Sequence, residues 1–158
     1  MIKFIKYLES NFLERGSGPS FFKCEFCNNL GADAAINYRE QDFSEEIKRL
    51  TEGKGVNVIL DMVGGPYFPK NIRLLADEGR LVQIALMQGS KAEVDFRSLL
   101  LKRVTLTGST LRPRSVEEKT KIAQALQKNV WPLLKSGAIR PIIYETFPLK
   151  QVSEAHRL

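Results

Sequence analysis

The sequence predicts an α/β fold, a doubly wound parallel sheet with helices on its faces. Three observations carry that prediction. Between Gly31 and Ser115 one phrase recurs: an apolar strand, a turn, then an amphipathic helix. Val56-Asn57-Val58-Ile59-Leu60 is almost continuously apolar, as suits a central parallel strand covered on both faces. Phe43, Ile47 and Leu50 follow at i, i+4 and i+7, the spacing of one buried helical stripe.

The elements are justified in order along the chain. Met1, Phe4, Ile5, Leu8 and Phe12 stand at helical spacing, while Ile2–Leu8 also reads as a strand. Gly16-Ser17-Gly18-Pro19 is a turn: the third glycine of a dinucleotide fingerprint falls on Phe21, and Pro19 lacks an amide donor. Lys23–Leu30 reads as a helix with Phe22, Phe26 and Leu30 on one stripe, stopped by Gly31. Ala34–Tyr38 is a short strand. Asp42 and Glu45 are spaced as a capping box for the helix that buries Phe43. Gly64-Gly65-Pro66 turns the chain into a helix ending near Asp77-Glu78-Gly79, and Arg80–Leu86 is the next strand. Phe96–Leu101 is a short helix, and Val104–Thr110 alternates as an edge strand does. Ser115 and Glu118 form a second capping box, and Pro132 ends or kinks the helix it opens. Ile139–Phe147 is extended and Pro148–Leu158 starts another helix.

At 158 residues the chain is long enough for one domain with a real core. Its 43% hydrophobic and 27% charged residues are ordinary for a water-soluble protein. No apolar run nears the roughly 18 residues of a membrane span. Lys3 and Lys6 interrupt the first apolar stretch, and no small-residue cleavage site follows, which argues against a secretory leader and for the cytoplasm. The net charge is +6, with its densest cations at Lys102, Arg103, Arg112, Arg114, Lys119 and Lys121. No nucleic-acid motif accompanies them, so they read as solvated surface, with neither nucleic acid nor membrane as partner. Cys24 and Cys27 make a lone CxxC; without a second pair or a nearby histidine they read as reduced thiols rather than a zinc or redox site.

Ligands of such sheets bind outside the carboxyl ends of the strands. Those ends are Tyr38, Asp61–Gly65, Ala85–Gly89 and Ser109–Arg112. They hold no acid–base pair, no Ser–His arrangement and no metal cluster, so no residue is expected to be catalytic or metal-ligating. Such a site suits chemistry carried by a cofactor.

Several segments bear a family likeness: Ser20-x-x-Lys23, Gly31-Ala32-Asp33-Ala34-Ala35-Ile36-Asn37-Tyr38, Leu60-Asp61-Met62-Val63-Gly64-Gly65, Gly79-Arg80-Leu81-Val82-Gln83-Ile84 and Leu106-Thr107-Gly108-Ser109-Thr110-Leu111-Arg112. In order and spacing the chain resembles the NADPH-dependent quinone oxidoreductases. These are the zeta-crystallin-like, zinc-independent branch of the medium-chain dehydrogenase/reductase superfamily. The resemblance covers roughly residues 20–158. It implies a partial Rossmann-type domain over 20–141, a remnant of the return to a catalytic domain over 142–158, and an unmatched segment over 1–19. It gives Lys23, assisted by Ser20, the adenosine 2′-phosphate of NADPH, and Tyr38, beside it, the adenine ribose. Gly64 would admit the adenosine to the backbone, and Ile84, Ala85 and Leu86 would flank the ribose and nicotinamide. Taken singly, Lys23 also reads as an exposed helix lysine, Tyr38 as a strand aromatic, Gly64 as a turn residue and Ile84–Leu86 as core.

The implied reaction is hydride transfer from the nicotinamide to a quinone or enone, without metal or covalent intermediate. The implied assembly is a homodimer through the edge strand at 104–110. The family's substrate domain and its glycine-rich pyrophosphate loop are expected to be missing. The alternative is therefore a truncated, non-catalytic Rossmann fragment that only folds and dimerises.

Overall fold

The computed structural model describes residues 5–7, 20–141, 143 and 145–157, with side chains from residue 24 onward. It divides into two compact units, Met1–Ser109 and Thr110–Leu158.

Every strand pairing among the described residues of the first unit is parallel, as the α/β reading requires. β1 (Ile5–Tyr7) pairs with β2 (Ala34–Ile36), Ile5 opposite Ala34 and Tyr7 opposite Ile36. The choice left open for Met1–Leu8 falls to a strand over these three residues. The rest of that stretch and the Gly16–Pro19 turn lie outside the described residues. β3 (Val56–Asp61), β4 (Leu75–Gln83) and β5 (Thr105–Gly108) form a second sheet in that order. The helices are α1 (Ser20–Asn29), α2 (Phe43–Leu50), α3 (Tyr67–Leu74) and α4 (Arg97–Lys102).

β3 corrects the sequence. It was expected to be central and covered on both faces, yet among the described residues it pairs with β4 alone and edges its sheet. Side chains alternate across a strand. Ile59 points into the core between the helices, whereas Val58 (52%) and Leu60 (61%) on the opposite face are exposed. Two clusters make the core. One gathers Ile36, Phe43, Ile47, Val56 and Leu74; the other gathers Leu75, Leu81 and Val104; Ile59 packs against both.

α1 also departs from expectation. Phe26 and Leu30 are exposed, and Cys27 is the buried residue. The helix packs on β2, and Phe26 and Leu30 of the stripe read from spacing face solvent, while the Phe22 side chain lies outside the described residues. α2 starts as expected, with Asp42 Oδ1 accepting from the Ser44 N–H at 2.8 Å. The reciprocal arm is absent, because the Glu45 carboxylate pairs with Lys48 at 2.7 Å instead. α3 ends three residues early. Leu75 is fully buried in the second cluster, and Lys102 Nζ takes the carbonyls of Arg73 (2.9 Å) and Leu75 (2.7 Å). Burial of Leu75 draws the chain into β4, and the ladder then slips, with Val56 opposite Leu75 but Val58 opposite Arg80.

In the second unit, α5 (Val116–Asn129) opens on the complete Ser115–Glu118 capping box. α6 (Trp131–Lys135) carries Pro132 in its first turn, so the proline ends α5 as expected. A 3₁₀ turn at Leu149–Gln151 leads into α7 (Val152–Ala155). The described residues of 139–147 are neither helix nor strand, and none of the described residues of this unit is buried.

Candidate functional site

The carboxyl ends of β3 and β4 are built around Asp61. Its buried carboxylate accepts from the Val63 N–H at 2.7 Å and the Gly64 N–H at 3.2 Å through Oδ1. Oδ2 accepts from the Asn71 amide of α3 at 3.1 Å. A side-chain acceptor two and three residues upstream folds the backbone into a tight turn. The turn is then laced to the chain leaving β4. The Ile84 N–H donates to the Asp61 carbonyl (2.8 Å), Gln88 to Val63 (2.8 Å) and Gly65 to Gly89 (3.0 Å). At Gly65, φ is 50° and an added Cβ would stand 2.4 Å from the Gln88 carbonyl oxygen, so only glycine fits. At Gly64, φ is 67° and a Cβ would meet the Leu86 side chain at 2.9 Å.

Gly64, Ile84, Ala85 and Leu86 are thus brought together at one strand end, with Ile84 and Leu86 exposed rather than core. Tyr38 lies just past β2, half-buried, and lines a cavity of about 190 Å³ between the first turns of α2 and α3. Phe43, Tyr67 and Lys70 share that cavity. The Phe43 and Tyr67 rings stack at 5.1 Å. Lys70 Nζ sits 3.0 Å from Asp42 and 5.3 Å from the Phe43 ring centroid. The Ser44 hydroxyl, then Lys70, hold the Asp42 carboxyl well below the usual carboxylate range. Ser20 and Lys23 lie on α1, but their side chains are outside the described residues, as is the expected pairing of Lys23 with Tyr38.

Sequence reasoning took Asp61 as the mere end of a strand and passed over Lys70. An Asp three residues ahead of Gly64-Gly65 at a strand end was the available signal for the first. Lys70 had none, because Asp42 lies 28 residues away in the chain.

The cavity's aromatic rings and the Lys70 ammonium suit one planar ring with an anionic group beside it. The exposed Ile84–Leu86 edge fits an uncharged planar ring. No disulfide joins Cys24 and Cys27, and burial pushes the Cys24 thiol up. Among the described residues no group of three or more His, Cys, Asp or Glu could hold a metal ion. Among them, too, no helix is long and apolar enough to cross a membrane.

Parallel strands ending on a glycine turn are the frame of a Rossmann-type fold, and the solved structures this chain superposes on are dehydrogenases and reductases of that type. The chain matches the zinc-binding dehydrogenase model over residues 30–158 and belongs to that family, within the medium-chain dehydrogenases/reductases. Its relatives there include quinone oxidoreductases and a highly reducing polyketide synthase of Cordyceps militaris. It is 33% identical to the quinone oxidoreductase-like protein 2 of Bos taurus over 133 residues, 84% of this chain and 38% of that one. The Escherichia coli quinone oxidoreductase solved with NADPH superposes with a TM-score of 0.66 at 30% identity, over 86% of this chain and 42% of that one. The quinone oxidoreductase of Pseudomonas syringae pv. tomato gives 0.72 at 25% identity, over 98% and 44%. The chain therefore spans less than half the length of these relatives and is of oxidoreductase lineage.

Proposed function

We propose that this chain is the nicotinamide-binding part of a cytoplasmic NADPH-dependent quinone or enone reductase that works without a metal. The observation that carries the reading is the gathering of the Gly64 turn, the open Ile84–Leu86 edge and the Tyr38 cavity within one unit. When bound, the cofactor supplies the hydride. The chain's own residues orient it. Asp61 fixes the turn so that Gly64 offers backbone without a side chain, and Ile84, Ala85 and Leu86 give the ribose and nicotinamide an apolar surface. Tyr38 meets the adenine ribose, and Lys23 with Ser20 meets the 2′-phosphate. A lysine ammonium suits a phosphate as a point charge.

Fluorescence titration with NADPH tests the reading. Saturable binding is expected, and Lys23→Ala weakens it about tenfold, the loss of roughly 1.4 kcal/mol from one charge-assisted contact. Absence of binding at millimolar NADPH would overturn it. Quinone-dependent oxidation of NADPH, followed at 340 nm, reads turnover separately.

The reading extends to a homodimer through the edge strand at 104–110. β5 supports it, standing at the end of its sheet with β4 as its one neighbour among the described residues. Sedimentation is expected to give twice the chain mass; a monomer at all concentrations would refute the pairing.

A further inference from the structure

We propose that Lys70 is a specificity-determining residue of the adenosine end: a cation held on Asp42 that transfers to the phosphate of a 2′-phosphorylated adenosine seated between α2 and α3. The inference rests on the NADPH reading and deepens it.

The cavity there, about 190 Å³, falls below the several hundred Å³ of sites that take whole drug-sized ligands. It matches one ring system rather than a complete dinucleotide. The stacked Phe43 and Tyr67 rings, 12° from parallel, give it a flat and rigid wall. Tyr38, the residue assigned to the adenine ribose, lines the same space as Lys70. The cation is therefore near where the sugar's phosphate would rest.

Lys70 is available for transfer. Its side chain and that of Asp42 are 39% and 48% exposed, and ion pairs so open to water hold weakly. A phosphate carries close to two charges against the single charge of a carboxylate, so the ammonium gains by exchanging one for the other. Asp42 does not follow Lys70. It is fixed as the cap of α2 by the Ser44 N–H and hydroxyl. It is thus a stationary competitor, and a ligand lacking the 2′-phosphate offers Lys70 nothing better.

Calorimetric titration with 2′,5′-ADP and with 5′-AMP tests this, each variant first checked for fold by circular dichroism. Lys70→Gln is expected to weaken 2′,5′-ADP about fivefold or more and 5′-AMP less than about twofold. Asp42→Asn keeps an N-cap acceptor, so α2 persists, while freeing Lys70; it is expected to tighten 2′,5′-ADP about two- to fivefold. Should Lys70→Gln fail to fold, Asp42→Asn alone decides. Equal effects of Lys70→Gln on both ligands, no effect on either, or weaker 2′,5′-ADP binding by Asp42→Asn would overturn the proposal. If Lys23→Ala weakens 2′,5′-ADP binding and Lys70→Gln does not, the NADPH reading stands and Lys70 has no part in it. If the wild-type chain does not bind 2′,5′-ADP, the proposal falls, and the NADPH titration decides the NADPH reading separately.

Discussion

Replacing Asp61 with alanine is expected to lower the unfolding free energy by about 3–5 kcal/mol, read as a shift of the urea midpoint at constant slope. The carboxylate serves three donors at once: the N–H groups of Val63 and Gly64 and the Asn71 amide. Alanine leaves them in a buried place with no acceptor, and each orphaned donor costs roughly 1–3 kcal/mol. The conservative change separates the contributions. Asp61→Asn keeps an oxygen for the two backbone donors but turns an amide toward the Asn71 amide, so about half the loss is expected. Combining it with Asn71→Asp restores a donor–acceptor pair between the two side chains, so the double variant should recover stability relative to Asp61→Asn. No recovery would mean that Asp61 acts through something other than these bonds. The same change should weaken NADPH binding, because the turn that presents Gly64 is no longer held.

Leu81→Ala is expected to cost about 3 kcal/mol, within the 2–5 kcal/mol range of buried leucine truncations. Leu81 has no exposed surface and packs with Leu75 and Val104, backed by Ile59, Phe68, Leu99 and Leu106. These residues come from β3, β4, β5, α3, α4 and the α4–β5 link, so a cavity here loosens the first unit as a whole. For a chain of this size the midpoint temperature should fall by roughly 6–12 °C. Leu149→Ala is the control: that side chain is 87% exposed, and a change within about 0.5 kcal/mol is expected. Equal effects at the two positions would contradict the core described here.

Local patterns in the sequence were readable where the local chain decides the outcome. Ser115 and Glu118 are three residues apart, and both halves of their capping box form. Pro132 stops α5 because a proline is barred from a helix interior, while the first turn of α6 tolerates it. Asp42 caps α2 for the same local reason, yet its partner Glu45 had a choice, and the lysine one turn on took it. The site was legible in part. Gly64 and Ile84–Leu86 do meet at one strand end, but Asp61, which holds that end together, looked like an ordinary terminal residue. A hydrogen bond from Asn71 and a salt bridge between residues 42 and 70 leave no trace in spacing.

By itself the sequence determined the kind of structure this is: alternating strands and helices, parallel pairing, the capped helix starts at Asp42 and Ser115, and a family whose strand ends receive a nucleotide. Periodicity and capping act within a few residues, so one chain read in order is enough to find them. Tertiary structure alone decided which faces are covered. An apolar run such as Val56–Leu60 looks the same in a central strand and at a sheet edge. Only its neighbours, β4 on one side and the helices over one face, bury Val56 and leave Val58 and Leu60 in water. Burial is a property of what stands opposite a residue, and what stands opposite is set by contacts distant in the chain.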